Sequence, residues 1–413
     1  MNHNERMEQQ ARLEQQMRMD KKEYMRKKRE RERIIKEKEK RSRAAARGPL
    51  DKVFLILVIL LTAIGLLTLL SASFPYATKK YDDPLYLFIR QAIFAGVGFV
   101  AMSFVGKINY QRFRAFSNIA VIVAVILLFL VLIPGIGITR NNATRWLGIG
   151  ETLTFQPSEI AKIAVILYFS DTISKKRDRM LTTREGVMPY VVILAVISVL
   201  MMLEPHLSGT LLILATGAIL MIAGGIRLYW VAAGAGAVAV LGWIIVGKLG
   251  YGASRIAMWL DPWQDTTEKG YQMCQSLIAI GSGGLFGLGI GRSRQKFLYL
   301  PERHNDFIFA VACEELGFVG ASLIILLFMA LILRGFWIAL RARDRFGTLL
   351  VLGVISLFAL QTFLNIAVVT GLVPCTGISL PLFSYGGTAL MLQLAEMGIV
   401  LSVSRQMPVS RAG

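Results

Sequence analysis

Acids, histidines and cysteines are scarce in this chain. It has 27 Asp and Glu against 46 Lys and Arg, three histidines and three cysteines; 18% of its 413 residues are charged and 54% hydrophobic. So little charge excludes a large soluble domain and indicates a membrane composition. Cys274, Cys313 and Cys375 lack metal-ligand spacing and Cys313 falls in an apolar run, so no metal site is read; a Cys274–Cys375 disulfide is the weaker reading of the other two. No internal repeat is visible.

What the chain has instead is apolar length. Runs able to cross a roughly 30 Å hydrocarbon layer, on the order of 20 helical residues each, start near Val53, Leu85, Ala115, Pro157, Val187, Ser208, Leu228, Phe307, Gly347 and Pro381. The expected fold is all-α: a polytopic integral membrane domain of about ten transmembrane helices over residues 52–405, with one long extracytoplasmic loop, about 248–305. The first run follows some fifty hydrophilic residues and no small-residue cleavage site follows it, so it reads as a span and not a signal peptide.

Ten spans put both termini on one side. Loops on that side hold Lys107, Arg112, Arg114, then Lys175, Lys176, Arg177, Arg179, Arg184, then Arg227, and then Arg334, Arg341, Arg343, Arg345; the short loops opposite hold Lys79, Lys80, Arg140 and Arg145. Positive charge marks the cytoplasmic side, so both termini are expected there. Residues 1–52 carry eighteen Lys and Arg against ten Asp and Glu. That alternation reads as a solvated tail resting on anionic lipid rather than a nucleic-acid binder, with partner docking as the other reading. Residues 406–413 form a second cytoplasmic tail.

Polar groups in such a chain are candidates for function. Asp306 stands where the polar run LPERHN enters an apolar helix, with His304 beside it and Arg292, Arg294, Lys296 and Arg303 upstream. Glu159 and Lys162, three residues apart after Pro157, share a helix face. They are either a structural ion pair or a cationic handle for an anionic headgroup, with Arg145 and Trp146 on the same side. Glycines 281, 283, 284, 287, 289 and 291 precede three cations. Such a run suits either phosphate contact through backbone N–H groups or tight helix packing. GLGIGR looks superficially like a dinucleotide fingerprint but lacks the βαβ context one requires. Glu204 with His206 forms an interface pair or part of an outward cavity. Gln361, Asn365, Pro374, Gly377, Pro381, Ser384 and Tyr385 mark broken helix, tolerated at membrane depth only where protein or a water-filled cavity covers it.

The segments TRWL, FQPSEIAK, YQMCQSLIAIGSGGLFGLGIGRSRQKFLYLPERHNDFIFAVACEELG and NIAVVTGLVPCTGISLPLFSYGGTALMLQ, in order over about 52–405, resemble the SEDS family of shape, elongation, division and sporulation proteins. NIAVVTGL and GISLPLFSYGG are more similar to the FtsW and SpoVE branch than to RodA. The resemblance implies a peptidoglycan glycosyltransferase of the bacterial plasma membrane that polymerises lipid II for the division septum. It also implies a class B penicillin-binding transpeptidase and other division proteins as partners. It makes Asp306 the catalytic residue and matches Glu159 and Lys162 to the family's polar pair. Arg303 and Asn305 depart from the proline and threonine common there, and His206 from an aspartate.

Residues and resemblance meet on one expected mechanism. Asp306 takes the proton of an acceptor 4-hydroxyl, which displaces undecaprenyl pyrophosphate at C1 of the donor with inversion. Lys162, oriented by Glu159, with Arg145, Arg292, Arg294 and Lys296, meets the pyrophosphate; His304 and Ser384 complete the substrate contacts. No cofactor is called for, and a divalent cation bridging Asp306 and the pyrophosphate is left open. Two other classes are carried: a lipid II flippase or transporter, and a non-catalytic division scaffold.

Overall fold

A computed structural model describes residues 30, 50–140, 143–149, 153–176, 179–247, 253–268, 270–297 and 299–407. The charged tail before Leu50, apart from Glu30, the start of the long loop at 248–252 and the terminal residues 408–413 lie outside the described residues, and with them the two tail assignments.

From Leu50 onward the chain is built of long apolar helices. They are α1 (Lys52–Tyr81), α2 (Tyr86–Lys107), α3 (Ser117–Val131), α4 (Pro157–Lys175), α5 (Met188–Leu203), α6 (Leu207–Ala223) and α7 (Leu228–Gly247). Two short helices, α8 (Ala253–Leu260) and α9 (Tyr271–Ser282), precede α10 (Ile308–Leu340), α11 (Arg345–Val369) and α12 (Gly387–Ser404). Nine of the expected starts agree with these helices to within about three residues, inside the usual uncertainty of helix ends. The tenth begins six residues late, at Gly387 instead of Pro381, because Leu382 takes a left-handed φ of 65° and the segment Pro381–Gly386 turns instead of coiling.

Among the described residues, seven helices are long and apolar enough to cross a membrane: α1, α2, α3 and α5 with their leading turns, α10, α11 and α12. α6 and Leu228–Ala237 are apolar but shorter, while α4 carries Glu159, Lys162, Asp171 and Lys175. The exposed stripe of α2, Ile89, Ile93, Val97, Val100 and Phe104, recurs every three or four residues, one helix face turned to lipid. Its opposite face packs along α12, where Gly98 meets Leu394 and Met391, and Gly398 meets Met102. Small residues let these backbones approach closely. α11 lies against α4, α6 and α10.

One element is missing from the sequence expectation. Three strands, β1 (Ile138–Arg140), β2 (Ala143–Ile149) and β3 (Leu153–Phe155), form an antiparallel ribbon. Its β-branched and aromatic residues, Ile138, Thr139, Thr144, Trp146 and Phe155, suit a pleated surface.

Two polar clasps join α1 to α10. At one end the Arg334 guanidinium pairs with Asp51 at 2.8 Å, while the Asp51 carboxylate also caps α1 by accepting from Phe54 N. At the other, Ser71 donates to Glu315, and Lys296 Nζ donates to Ser71 Oγ (2.9 Å) and Glu315 Oε1 (3.2 Å). About 20 residues of α1 separate Asp51 from Ser71, roughly 30 Å of helix, which matches the thickness of a hydrocarbon layer.

Just beyond Glu315, α10 breaks at Gly317 (φ 69°, ψ −171°). The glycine-rich loop repairs the break: Phe318 N and Val319 N donate to Gly284 O and Leu285 O, while Leu288 N and Gly289 N donate to Glu314 O and Glu315 O. A side chain at Gly317 would run into the backbone of Leu285–Gly287, so glycine is needed for the close approach as well as for the φ.

Candidate functional site

The segment leading into α10 is irregular, and its main chain is held from outside. Three consecutive carbonyls are gripped: His304 O accepts from Tyr385 N (2.8 Å), Asn305 O from Ser384 Oγ (2.8 Å) and Asp306 O from Asn365 Nδ2 (2.7 Å). Asn365 Nδ2 also donates to Ile378 O (2.7 Å), and Ser384 Oγ accepts from Leu380 N (2.8 Å). The broken stretch between α11 and α12 therefore positions Asp306. Ser384, expected to contact substrate, is placed here as a member of that clamp.

Asp306 is half-buried and lines a cavity of ≈ 390 Å³ together with Glu302, Arg145, Ser208, Trp259 and Gly377. Gly377 has φ 69°, and a Cβ there would stand 3.4 Å from Asp306 Oδ2, so the carboxylate lies against bare backbone. Burial pushes the Asp306 carboxyl up to about 7; the negative charge of Glu302 pushes the same way, and Arg145 opposes both. A carboxyl poised near neutrality suits proton transfer. Arg145, on β2, donates from Nε to Glu204 O (3.1 Å) and from Nη2 to Pro205 O, which ties the ribbon to the α5–α6 turn at the cavity wall. Burial pushes the Glu204 carboxyl up to about 8 and the His206 imidazole down to about 3.

His304 is buried and stacked on Tyr76, centroids 4.6 Å apart. Burial holds its imidazole down at about 4, Glu302 pulling it up and Arg303 pushing it down; it is neutral near pH 7 and does not cap α10. Asn305 Nδ2 instead holds Glu302 at 2.6 Å.

Lys162 and Glu159 pair at 2.7 Å with the lysine 4% exposed, as their helical spacing dictates. They are not among the cavity-lining residues; buried Glu396 of α12 lies within electrostatic reach of both. Lys296 is drawn inward: its ammonium donates to Ser71, Glu315 and Gly291 O (2.6 Å), which uses all three of its protons. Arg292 and Arg294 remain exposed on the loop. The loop's own N–H groups at Leu288, Gly289, Arg294 and Gln295 are spent on α10, the last two on the Glu314 carboxylate, so the glycines here serve close packing.

Two acids escape the sequence reading. Glu302 sits in the same LPERHN run, and only its left-handed φ of 48° and the cavity make it a neighbour of Asp306. Glu396 had a legible signal, an acid inside an apolar run. Among the described residues no three His, Cys, Asp or Glu side chains cluster as metal ligands; Glu302 and Asp306 are the carboxylates that could meet a divalent ion in the cavity. No disulfide joins Cys274, Cys313 or Cys375, so the Cys274–Cys375 bridge is not formed.

Residues 51–408 match a family model described as "Cell cycle protein", FTSW_RODA_SPOVE. The chain is 42% identical over 357 residues to stage V sporulation protein E of Bacillus subtilis, covering 86% of this chain and 97% of that one. It is 40% identical over 359 residues to the probable peptidoglycan glycosyltransferase FtsW of Geobacter sulfurreducens, covering 86% and 95%. Among solved structures it is similar to the rod shape determining protein RodA of Thermus thermophilus, with TM-score 0.65 and 27% identity over 87% of this chain and 98% of that one. A chain from a structure titled "Structural coordination of polymerization and crosslinking by a peptidoglycan synthase complex" gives TM-score 0.72 and 26% identity over 86% and 98%.

Proposed function

This chain belongs to the FtsW, RodA and SpoVE family of cell cycle proteins, and we propose that it is a peptidoglycan glycosyltransferase that polymerises lipid II during septal synthesis. The observation that carries the reading is the Asp306 carboxyl, held by its clamped main chain in a cavity wall with Arg145 on the same cavity.

On this reading Asp306 accepts the proton of the 4-hydroxyl of the acceptor N-acetylglucosamine. The oxygen attacks C1 of the donor N-acetylmuramic acid from the face opposite the leaving group. The C1–O bond to undecaprenyl pyrophosphate breaks, the configuration inverts and a β-1,4 bond forms. The departing pyrophosphate needs fixed positive charge in a site of low dielectric. Arg145 supplies it at the cavity, and Lys162, held by Glu159 and outside the cavity lining, adds positive charge at longer range; Arg292 and Arg294 meet the lipid-borne anion at the loop. Lys296 contributes by fixing that loop, and His304 as a neutral stacked ring packs the segment before Asp306. Were a divalent ion to take part, Glu302 and Asp306 would hold it, adding positive charge for the leaving group.

Ten spans, read from apolar run length, put both termini on one side, and the lysine and arginine distribution supports the cytoplasm as that side and the Asp306 end as the outer one. A class B penicillin-binding transpeptidase and other division proteins are the proposed partners, because a glycan strand needs cross-linking and a structural relative comes from a peptidoglycan synthase complex.

Purified protein given labelled lipid II, with and without a transpeptidase partner, tests the proposal by gel analysis of glycan strands and a parallel lipid-scrambling assay. Asp306→Asn should slow polymerisation by about 10²- to 10⁴-fold, the usual contribution of a general base. Strands made at the wild-type rate by that variant would sink the assignment. Scrambling without polymerisation would indicate the flippase reading instead.

A further inference from the structure

Between α9 and α10 the chain turns its large apolar side chains outward. Leu285, Phe286, Ile290, Phe297 and Tyr299 are 56% to 81% exposed, a patch that soluble surfaces rarely carry. The segment is not a loose loop. Its backbone repairs the Gly317 break, and its turn at Ser293–Gln295 is bonded to the Glu314 carboxylate.

That stitching fixes what the patch adjoins. Because Phe318 N and Val319 N donate to Gly284 O and Leu285 O, exposed Leu285 and Phe286 abut exposed Phe318 and Val319. Those two head the lipid-facing strip of α10 that continues through Leu323 and Leu326. The Ser71–Lys296–Glu315 clasp also fixes the level of the patch, roughly 30 Å along α1 from the Asp51–Arg334 pair. That is one hydrocarbon thickness, so the loop lies where acyl chains give way to headgroups. Arg292 and Arg294, also exposed, stand between Ile290 and Phe297, the pattern of amphipathic elements lying in the interface of anionic membranes.

We propose that residues 285–297 together with Tyr299 form an interfacial anchor in the leaflet on the Asp306 side, with Phe286 and its apolar neighbours among acyl chains and Arg292 and Arg294 against the phosphates of anionic phospholipid. The anchor holds the cavity mouth at headgroup level. The proposal does not depend on the glycosyltransferase reading.

The test places the photoreactive residue benzoylphenylalanine at position 286, or at 299 as a second site, in the full chain. The chain is reconstituted in vesicles of phosphatidylethanolamine and phosphatidylglycerol, with exposed Glu268 as the control position. After irradiation, mass spectrometry should find lipid adducts at 286 and 299 several-fold above those at 268. In an Arg292→Gln, Arg294→Gln background the phosphatidylglycerol share of those adducts should fall about fivefold per arginine, the weight of about 1 kcal/mol for a basic residue near an anionic surface. Adducts no more frequent at 286 and 299 than at 268 would overturn the anchor. Lipid adducts that give way to protein adducts when a transpeptidase is added would assign the patch to a protein partner. An unchanged phosphatidylglycerol share would overturn the headgroup contact.

Discussion

Glu302 and Asp306 share one cavity, and the charge of the first makes the second harder to ionise. A base works only when deprotonated, so activity should rise with pH through about 7, the value to which burial and Glu302 push Asp306. Arg145 is the cation on that wall, while His304 is neutral and turned onto Tyr76. Replacing Glu302 with Gln removes a negative neighbour and keeps the bond-forming amide oxygen for Asn305. The acid limb of the kcat/KM profile should then move to lower pH, and a limb that stays in place would show that Glu302 does not tune the base. Lys162→Met should depress polymerisation several-fold with insertion into the membrane intact; loss of folded protein instead would make the pair purely structural. At this scale the sequence was readable where chemistry is local. A spacing of three put Glu159 beside Lys162, and Asp306 stood at a polar boundary. Glu302 and Arg145 were brought to Asp306 by a left-handed turn and a strand ribbon, neither of which charge or hydropathy patterns announce.

Among the elements, the junction of α1, α10 and the glycine-rich loop rests on a buried ion pair. Lys296 and Glu315 are 5% and 4% exposed, and removing one partner leaves an uncompensated charge, a loss of about 3–5 kcal/mol. Lys296→Met should therefore lower the denaturation midpoint in detergent sharply, and Lys296→Met with Glu315→Gln should recover part of it. Equal midpoints for the single variant and the wild type would remove the pair from the stability account. The three cations after the glycines looked alike in sequence. Only the fold separates Lys296, drawn inward by Ser71 and Glu315, from the exposed Arg292 and Arg294, because those partners lie 225 residues upstream and 19 downstream.

For the whole molecule, apolar run length located the helices well, since the demand for internal hydrogen bonding in lipid leaves helices as the economical solution. The pieces that run length does not resolve are the short or irregular ones: strands β1 to β3, α8, α9 and the turn at 381–386. The Asp51–Arg334 and Ser71–Lys296–Glu315 clasps set a hydrophobic height of roughly 30 Å. Reconstitution into lipids whose hydrocarbon is thicker by about 6 Å should cost fractions of a kcal/mol per Å and slow polymerisation several-fold relative to matched lipids. Rates indifferent to acyl length would argue that the clasps do not sit at the two hydrocarbon edges.

The grip on His304, Asn305 and Asp306 is made through the main chain alone. Tyr385 N, Ser384 Oγ and Asn365 Nδ2 all take hold of carbonyl oxygens, atoms every amino acid possesses. The fixture is therefore blind to the side chains it carries. Asn305→Thr should leave the aim of Asp306 undisturbed while releasing Glu302. The side chains of His304 and Asn305 are left to meet Tyr76 and Glu302, while the aim of Asp306 is delegated to Asn365 and Ser384.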